Sequence, residues 1–415
     1  MPGGFVWGAA CAGIKASGKP DVAVAAATAR DAAGICAIGA AVYTSNRVVA
    51  APVTVGQRHL LATGGRVGAV LVNSGNANCA TGPAGVDGCI ATCVGAAESF
   101  GCIFDEVIPS STGIIGVPFP AKKVVAAMPA LKAAAGNTPE HAEAFAQAIM
   151  TTDTRVKMAH TTIAVGGPES PVQTEVRIWG CAKGAGMIGP RLAAPVGTGA
   201  PPHATMLVYL FTDIAADAAD LGSALASAIE PSFNSISIDG DTSTNDTVLL
   251  LASGASGAQV LAGNAAFAAA LTQVCTSLAR QIVADGEGVT HVVELRIDGA
   301  ATDADALKIA KAIAHSPLVK TAWAGCDPNW GRLVAAIGYA GAEIDPERID
   351  IWFGEMRICR DGGRAEEFDE NAAHEYLKQD EFTIAIQLNR GSGSCVFWTT
   401  DLTAEYVHIN ADYST

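Results

Sequence analysis

An unbroken apolar run, Met206-Leu207-Val208-Tyr209-Leu210-Phe211, follows directly on a single hydroxyl residue, Thr205. So short a run, rich in β-formers, reads as a buried strand. Upstream lies a glycine-rich approach, Lys183-Gly184-Ala185-Gly186-Met187-Ile188-Gly189-Pro190. Residues 192–202 are then mostly Ala, Pro and Gly without a charge, which predicts an exposed linker. The layout presents Thr205 at a strand start, behind a segment that can be cut. Were the Ala204–Thr205 bond severed, Thr205 would carry a free α-amine. Such an amine has a pKa of roughly 8 and serves as a base for its own hydroxyl. The other reading is a β-branched residue opening a strand, and these residues alone leave both open.

A chain of 415 residues is long enough for two to three domains and a large core. Half the residues are hydrophobic and only 16% are charged, which marks a packed globular chain. With a net charge of −15 and no dense Lys/Arg cluster, neither nucleic acid nor a membrane is an expected partner. The eleven cysteines are odd in number and form no C-x-x-C. They read as reduced thiols, and the pair Cys89 and Cys93 as core thiols rather than metal ligands. No metal is expected. The N-terminus has neither a basic segment nor an apolar signal core. The expected compartment is the cytoplasm, or a mitochondrial matrix or plastid stroma after removal of a transit peptide.

Along the chain, 66–73 reads as a buried strand ending in the amide-rich turn Asn73-Ser74-Gly75-Asn76-Ala77-Asn78. That turn either fixes the backbone or lines a polar pocket. A helix is expected over 82–100 and a strand over 103–109, delivering Ser110-Ser111-Thr112-Gly113-Ile114-Ile115-Gly116. Small hydroxyl residues beside glycine let backbone N–H groups face a cavity, as an oxyanion hole requires, though many such turns are only turns. Helices are expected over 120–135 and 138–150, the second capped by Thr138 and ending in the hydroxyl cluster Thr151-Thr152-Asp153-Thr154. Residues 160–165 and 172–179 suggest a strand pair. Asp239, Asp241 and Ser243 begin like a calcium loop, but Thr244 and Leu250 stand where Gly and Glu are needed. Helices are expected over 220–229, 264–284 (capped by Asn264), 303–315 and 330–337. Strands are expected at 291–297, 318–323, 349–353, 382–387, 394–399 and 403–409. Glu287 stands between two glycines, where a carboxylate either reaches a ligand or is an exposed turn acid. Asp327 and Arg332 serve recognition or merely the start of a helix.

Eight of these segments, in order, resemble the ornithine acetyltransferases of arginine biosynthesis, also described as bifunctional glutamate N-acetyltransferases. They are 73–78, 111–116, 151–154, 183–187, 204–207, 239–246, 325–332 and 410–415, and they span nearly the whole chain. The resemblance implies an α/β fold, a sandwich of β-sheets between helices with a second, smaller α/β domain. It implies self-cleavage between Ala204 and Thr205 into an α chain (1–204) and a β chain (205–415) that stay together, and a dimer of αβ units. Thr205 would be the nucleophile, with Thr112 and Gly113 as the oxyanion hole. Substrate-binding positions carry over to Thr151, Lys183, Thr205, Glu287, Asn410 and Thr415. The implied reaction moves an acetyl group from N-acetylornithine to glutamate through an acyl-Thr intermediate. No bound cofactor is implied, and acetyl-CoA is left open as a co-substrate. One departure stands beside the cut: residues 192–203 look like an insertion. Two other readings stay open on sequence, an amidase or aminopeptidase of the same self-cleaving superfamily and an uncleaved, non-catalytic paralogue.

Overall fold

The computed structural model describes residues 1–31, 34–44, 46–166, 173–193, 206–241, 243–259 and 264–412. The apolar run becomes the strand Leu207–Thr212, inside a seven-stranded sheet. It runs parallel to Thr247–Ala252 on one side and antiparallel to Gln173–Lys183 on the other. Ala37–Thr44 and then Leu192–Ala193 extend the first flank, and Lys157–Gly166 extends the second. Arg66–Val67 pairs with Ala37–Thr44 off that path.

Every residue of Leu207–Thr212 is buried, so the strand needs no polar face. Successive side chains point to opposite sides. Val208 and Leu210 enter a core with the helices Ala218–Ile229 and Ala265–Ala284. Leu207, Tyr209 and Phe211 enter another, shared with a four-stranded sheet of Phe5–Ala10, Val22–Ala27, Ala69–Asn76 and Val107–Ile114. There Trp7 meets Phe211 and Trp179 edge-on, with ring centroids 5.5 and 5.6 Å away. Burying each such large side chain contributes about 1.5–3 kcal/mol. The far face of the four-stranded sheet packs on the helices Ala51–Ala62 and Gly82–Phe100, with Cys89 and Cys93 among the buried residues. The layers are therefore helices, sheet, sheet, helices.

A second unit has its own core. Its six-stranded sheet runs in the order Gly363–Arg364, Met356–Arg360, Asp350–Phe353, Glu381–Gln387, Val292–Ala300, Gly393–Thr400. The helices Asp303–Ala314, Pro317–Ala324, Trp330–Gly338 and Glu370–Leu377 contribute to that core. The expected fold class, stacked sheets between helices with a further α/β unit, is the one observed. No helix among the described residues is long and apolar enough to cross a membrane.

Several local expectations are corrected. Residues 73–78 and 110–116 are not simple turns, because both strands run on, to Asn76 and Ile114. Asn73 links the two: Ser111 Oγ donates to Asn73 Oδ1 at 2.6 Å, and Asn73 Nδ2 to the Asn76 carbonyl at 2.7 Å. Residues 104–106 form a 3₁₀ turn before that second strand. The helix expected over 120–135 is two, Ala121–Ala126 and Met128–Ala133. Pro129 lacks the N–H that would continue the first. Residues 318–323 form the helix Pro317–Ala324, capped by Ser316, whose Oγ accepts from Val319 N at 3.4 Å. Residues 404–409 of the expected strand belong to the helix Ala404–Asp412, opened by Thr403, whose Oγ1 accepts from Tyr406 N at 3.3 Å. Leu192 is not exposed linker: it is buried and pairs with Thr44. Thr138 does precede a helix, Pro139–Ala148, but its hydroxyl meets His141 Nδ1 instead of a backbone N–H.

Candidate active site

The ends of several elements converge on one cavity of about 870 Å³. The parallel strands Ala69–Asn76 and Val107–Ile114 finish with Ser74 opposite Thr112 and Gly75 opposite Gly113. At Gly113 the backbone is left-handed (φ +125°), and a Cβ there would lie 2.4 Å from the Gly75 carbonyl carbon. Only glycine fits. Thr112, Gly113, Thr151, Lys183, Glu287 and Asn410 all line this cavity, although the sequence separates them by up to some 300 residues. Ala204, Thr205 and Thr415 lie outside the described residues.

Lys183 ends the strand Gln173–Lys183 and stands opposite Leu207. Its ammonium is buried and donates to Thr112 Oγ1 at 3.2 Å. Burial pulls its pKa down, against the support of Asp153, Asp246 and Glu287. Asp153, its strongest support, is enclosed: Oδ1 accepts from Lys157 Nζ at 2.6 Å and from Gly184 N at 2.6 Å, and Oδ2 from Thr151 N at 2.9 Å. Burial alone would raise this carboxyl, but Lys183 and Lys157 outweigh it and hold the pKa at about 2. Lys157 in turn donates to Asp285 Oδ2 at 2.5 Å. Asp285 also accepts from Thr154 N at 3.1 Å and from the Thr154 hydroxyl. A buried chain of alternating charge thus pins residues 151–157 behind Lys183.

Glu287 N donates to the Ala185 carbonyl at 2.8 Å, and its Oε2 accepts from Asn410 Nδ2 at 2.9 Å. This acid, flanked by glycines, therefore faces the cavity, and the second half of the chain closes that side of it. The glycine-rich approach is held by Asp239, which accepts from Met187 N at 2.6 Å, Ile188 N at 2.9 Å and Tyr406 Oη at 3.2 Å. The segment that starts like a calcium loop is a clamp on backbone N–H groups. Among the described residues no cluster of His, Cys, Asp or Glu is arranged to hold a metal ion.

Met206, the first described residue after Thr205, donates its N–H to the Asp246 carboxylate. Burial raises the Asp246 carboxyl well above the usual range, and its Oδ2 has no partner among the described residues. Asn245 ties this region to the ends of the parallel strands Ala69–Asn76 and Val107–Ile114, donating from Nδ2 to the Ala77 carbonyl at 2.6 Å and the Ser111 carbonyl at 2.8 Å.

A model described as the ArgJ family matches residues 6–415. The chain belongs to the ArgJ family. It is similar to the arginine biosynthesis bifunctional protein ArgJ of Symbiobacterium thermophilum, 44% identical over 420 residues and covering 100% of this chain and 98% of that protein. The protein of the same description from Geobacter sulfurreducens is 42% identical over 416 residues, covering 99% of each. Among solved structures, ornithine acetyltransferase from Mycobacterium tuberculosis in complex with ornithine is 33% identical, covers 46% of this chain and 94% of that chain, and has a TM-score of 0.39. This ArgJ-family chain is an enzyme of arginine biosynthesis, an acyltransferase, as the eight ordered segments lead one to expect.

Sequence reasoning passed over Asp153, Asn245 and Lys15 in this ArgJ-family site. Asp153 was visible only as the acid within a hydroxyl cluster. Its partners come from residues 157, 183 and 184, which no local pattern links to it. Asp327 and Arg332 do not line the cavity. Arg332 Nη1 donates to the Leu318 carbonyl at 2.6 Å, and Asn329 Oδ1 caps the helix, so the helix-start reading holds there.

Proposed function

We propose that this chain cuts itself between Ala204 and Thr205 and then transfers an acetyl group from N-acetylornithine to glutamate through acyl-Thr205. The observation that supports it best is the presence of opposite charges in the lining of one cavity. Lys183, buried and bonded to Thr112, offers a cation for an α-carboxylate, and Glu287, bonded to Asn410, offers an anion for a side-chain ammonium.

In the first half-reaction the α-amine of Thr205 takes the proton from Oγ as Oγ attacks the acetyl carbonyl. Thr112 and Gly113 steady the oxyanion, a contribution of a few kcal/mol. The carbon–nitrogen bond breaks, the proton passes to the departing α-nitrogen of ornithine, and an ester remains on Thr205. In the second half-reaction the α-amine of glutamate attacks that ester, Oγ leaves, and it recovers its proton. Thr151 and Thr415 add polar contacts to the amino acid. The ester itself carries the acetyl group, so no bound cofactor is needed.

The test is incubation with N-acetylornithine in the presence and absence of glutamate. N-acetylglutamate and ornithine should form in equal amounts. Acetate release that ignores glutamate would mark a hydrolase and overturn the proposal. On a denaturing gel the chain should run as two fragments, and Thr205→Ala as one.

A further inference from the structure

A transferase of this kind must accept two amino acids of unlike charge in one place. The departing ornithine has one carboxylate and a side-chain ammonium. The incoming glutamate has two carboxylates and no second cation. Glu287 suits the first and repels the second, and Lys183 is engaged by the α-carboxylate that both share. The cavity therefore needs a further cation for the acceptor.

Lys15 supplies one. It lines the same cavity as Lys183 and Glu287. Its ammonium donates to the Pro20 carbonyl at 2.9 Å and the Ala148 carbonyl at 3.1 Å. No carboxylate forms an ion pair with it among the described residues, and an ammonium has three donors, so one remains for a ligand.

The position is built with care. Asp21, fully buried, accepts from the N–H groups of Ala12 at 2.6 Å, Ile14 at 2.5 Å and Lys15 at 3.0 Å. That cage fixes the backbone on which Lys15 stands. Gly75 (φ +99°) makes room beside it, since a Cβ there would lie 3.3 Å from Lys15 Cγ and 3.1 Å from Ile14 Cγ2. Ala148, whose carbonyl holds the ammonium, also accepts from Ser74 Oγ at 2.5 Å and ends the helix Pro139–Ala148, where the dipole favours a cation. Burial lowers the Lys15 pKa to about 8, with Asp21 and Asp153 raising it and Lys183 and Lys19 lowering it. It thus remains mostly an ammonium at neutral pH. Lys19 also lines the cavity but is exposed and lacks this mounting.

Resting on the transferase reading above, we propose that Lys15 is the acceptor-specificity residue: its ammonium binds the side-chain carboxylate of glutamate, the anionic group that departing ornithine lacks.

The experiment measures KM for glutamate and for N-acetylornithine, and the preference for glutamate over glutamine as acceptor, in the unaltered chain, Lys15→Gln and Lys15→Arg. A hydrogen bond between charged groups predicts that Lys15→Gln raises KM for glutamate by about ten- to a hundredfold. KM for N-acetylornithine should move by less than about threefold on the same argument, since that substrate does not use Lys15. The preference for glutamate over glutamine should collapse in Lys15→Gln and return in part in Lys15→Arg. A merely structural role would raise both KM values together and leave that preference intact, and such a result overturns the assignment while transfer itself stands. Failure of the unaltered chain to form N-acetylglutamate removes the transferase reading and this assignment with it.

Discussion

Replacing Asp153 by Asn tests the buried charge chain most directly. The side chain is fully enclosed, with Lys157 at 2.6 Å, Gly184 N at 2.6 Å and Thr151 N at 2.9 Å. Asn keeps one acceptor oxygen but loses the charge, and its amide then faces a donor. Removing one member of a buried ion pair typically costs ~3–5 kcal/mol. Lys157 retains Asp285 at 2.5 Å, so the low end, about 3 kcal/mol at pH 7, is expected. The charge-dependent share follows from the pKa. A fall from 3.8 to about 2 on folding corresponds to ~2 kcal/mol. Because the folded value is the lower one, this share is fully present above pH 4 and is lost as pH falls through 2. About half of it should survive at pH 3. The assay is urea unfolding of both proteins at pH 7, 4 and 3. The gap between them should hold from pH 7 to about 5 and shrink below 4. Lys183 also loses its strongest electrostatic support, so the alkaline limb of the activity profile should move to lower pH. A variant within about 1 kcal/mol of the parent at pH 7, or a gap that ignores pH, would refute the reasoning.

Gly113→Ala should lower kcat for acetyl transfer by about a hundredfold or more, the scale of a misplaced oxyanion donor, because its Cβ would strike the Gly75 backbone at 2.4 Å; steady-state turnover at saturating substrate checks this. Asn264→Ala should cost about 1 kcal/mol of stability by removing the acceptor for Phe267 N at the start of Ala265–Ala284. Thermal unfolding reads that loss, while KM for both substrates should not change.

Much of the architecture was legible because the local signals were strong. Residues 82–100 and 264–284 carry long helical patterns, and the run after Thr205 leaves little choice but a buried strand. Short runs misled. Residues 318–323 and 403–409 carry too few apolar positions to fix a period, and the hydroxyls of Ser316 and Thr403 decide for helix. At the site, Thr112, Gly113, Thr151, Lys183, Glu287 and Asn410 were named from their segments and share one cavity. The groups that set their electrostatics were not visible. Asp153 and Asp285 meet through Lys157 across more than a hundred residues, and Asp21 mounts Lys15 through backbone contacts that no spacing announces.

The seven-stranded sheet has a consequence for the life of the molecule. Its two inner strands, Leu207–Thr212 and Thr247–Ala252, come after residue 204, and both of their outer neighbours, Gln173–Lys183 and Ala37–Thr44, come before it. A cut before Thr205 therefore leaves two interleaved pieces, each supplying the hydrogen-bond partners of the other. Covalent continuity is needed once, to bring these strands together at the high local concentration of a single chain. After the cut, an unfolded copy must find a separate molecule to rebuild the sheet. An enzyme cut in this way would persist by not coming apart, because its reassembly would be a second-order encounter.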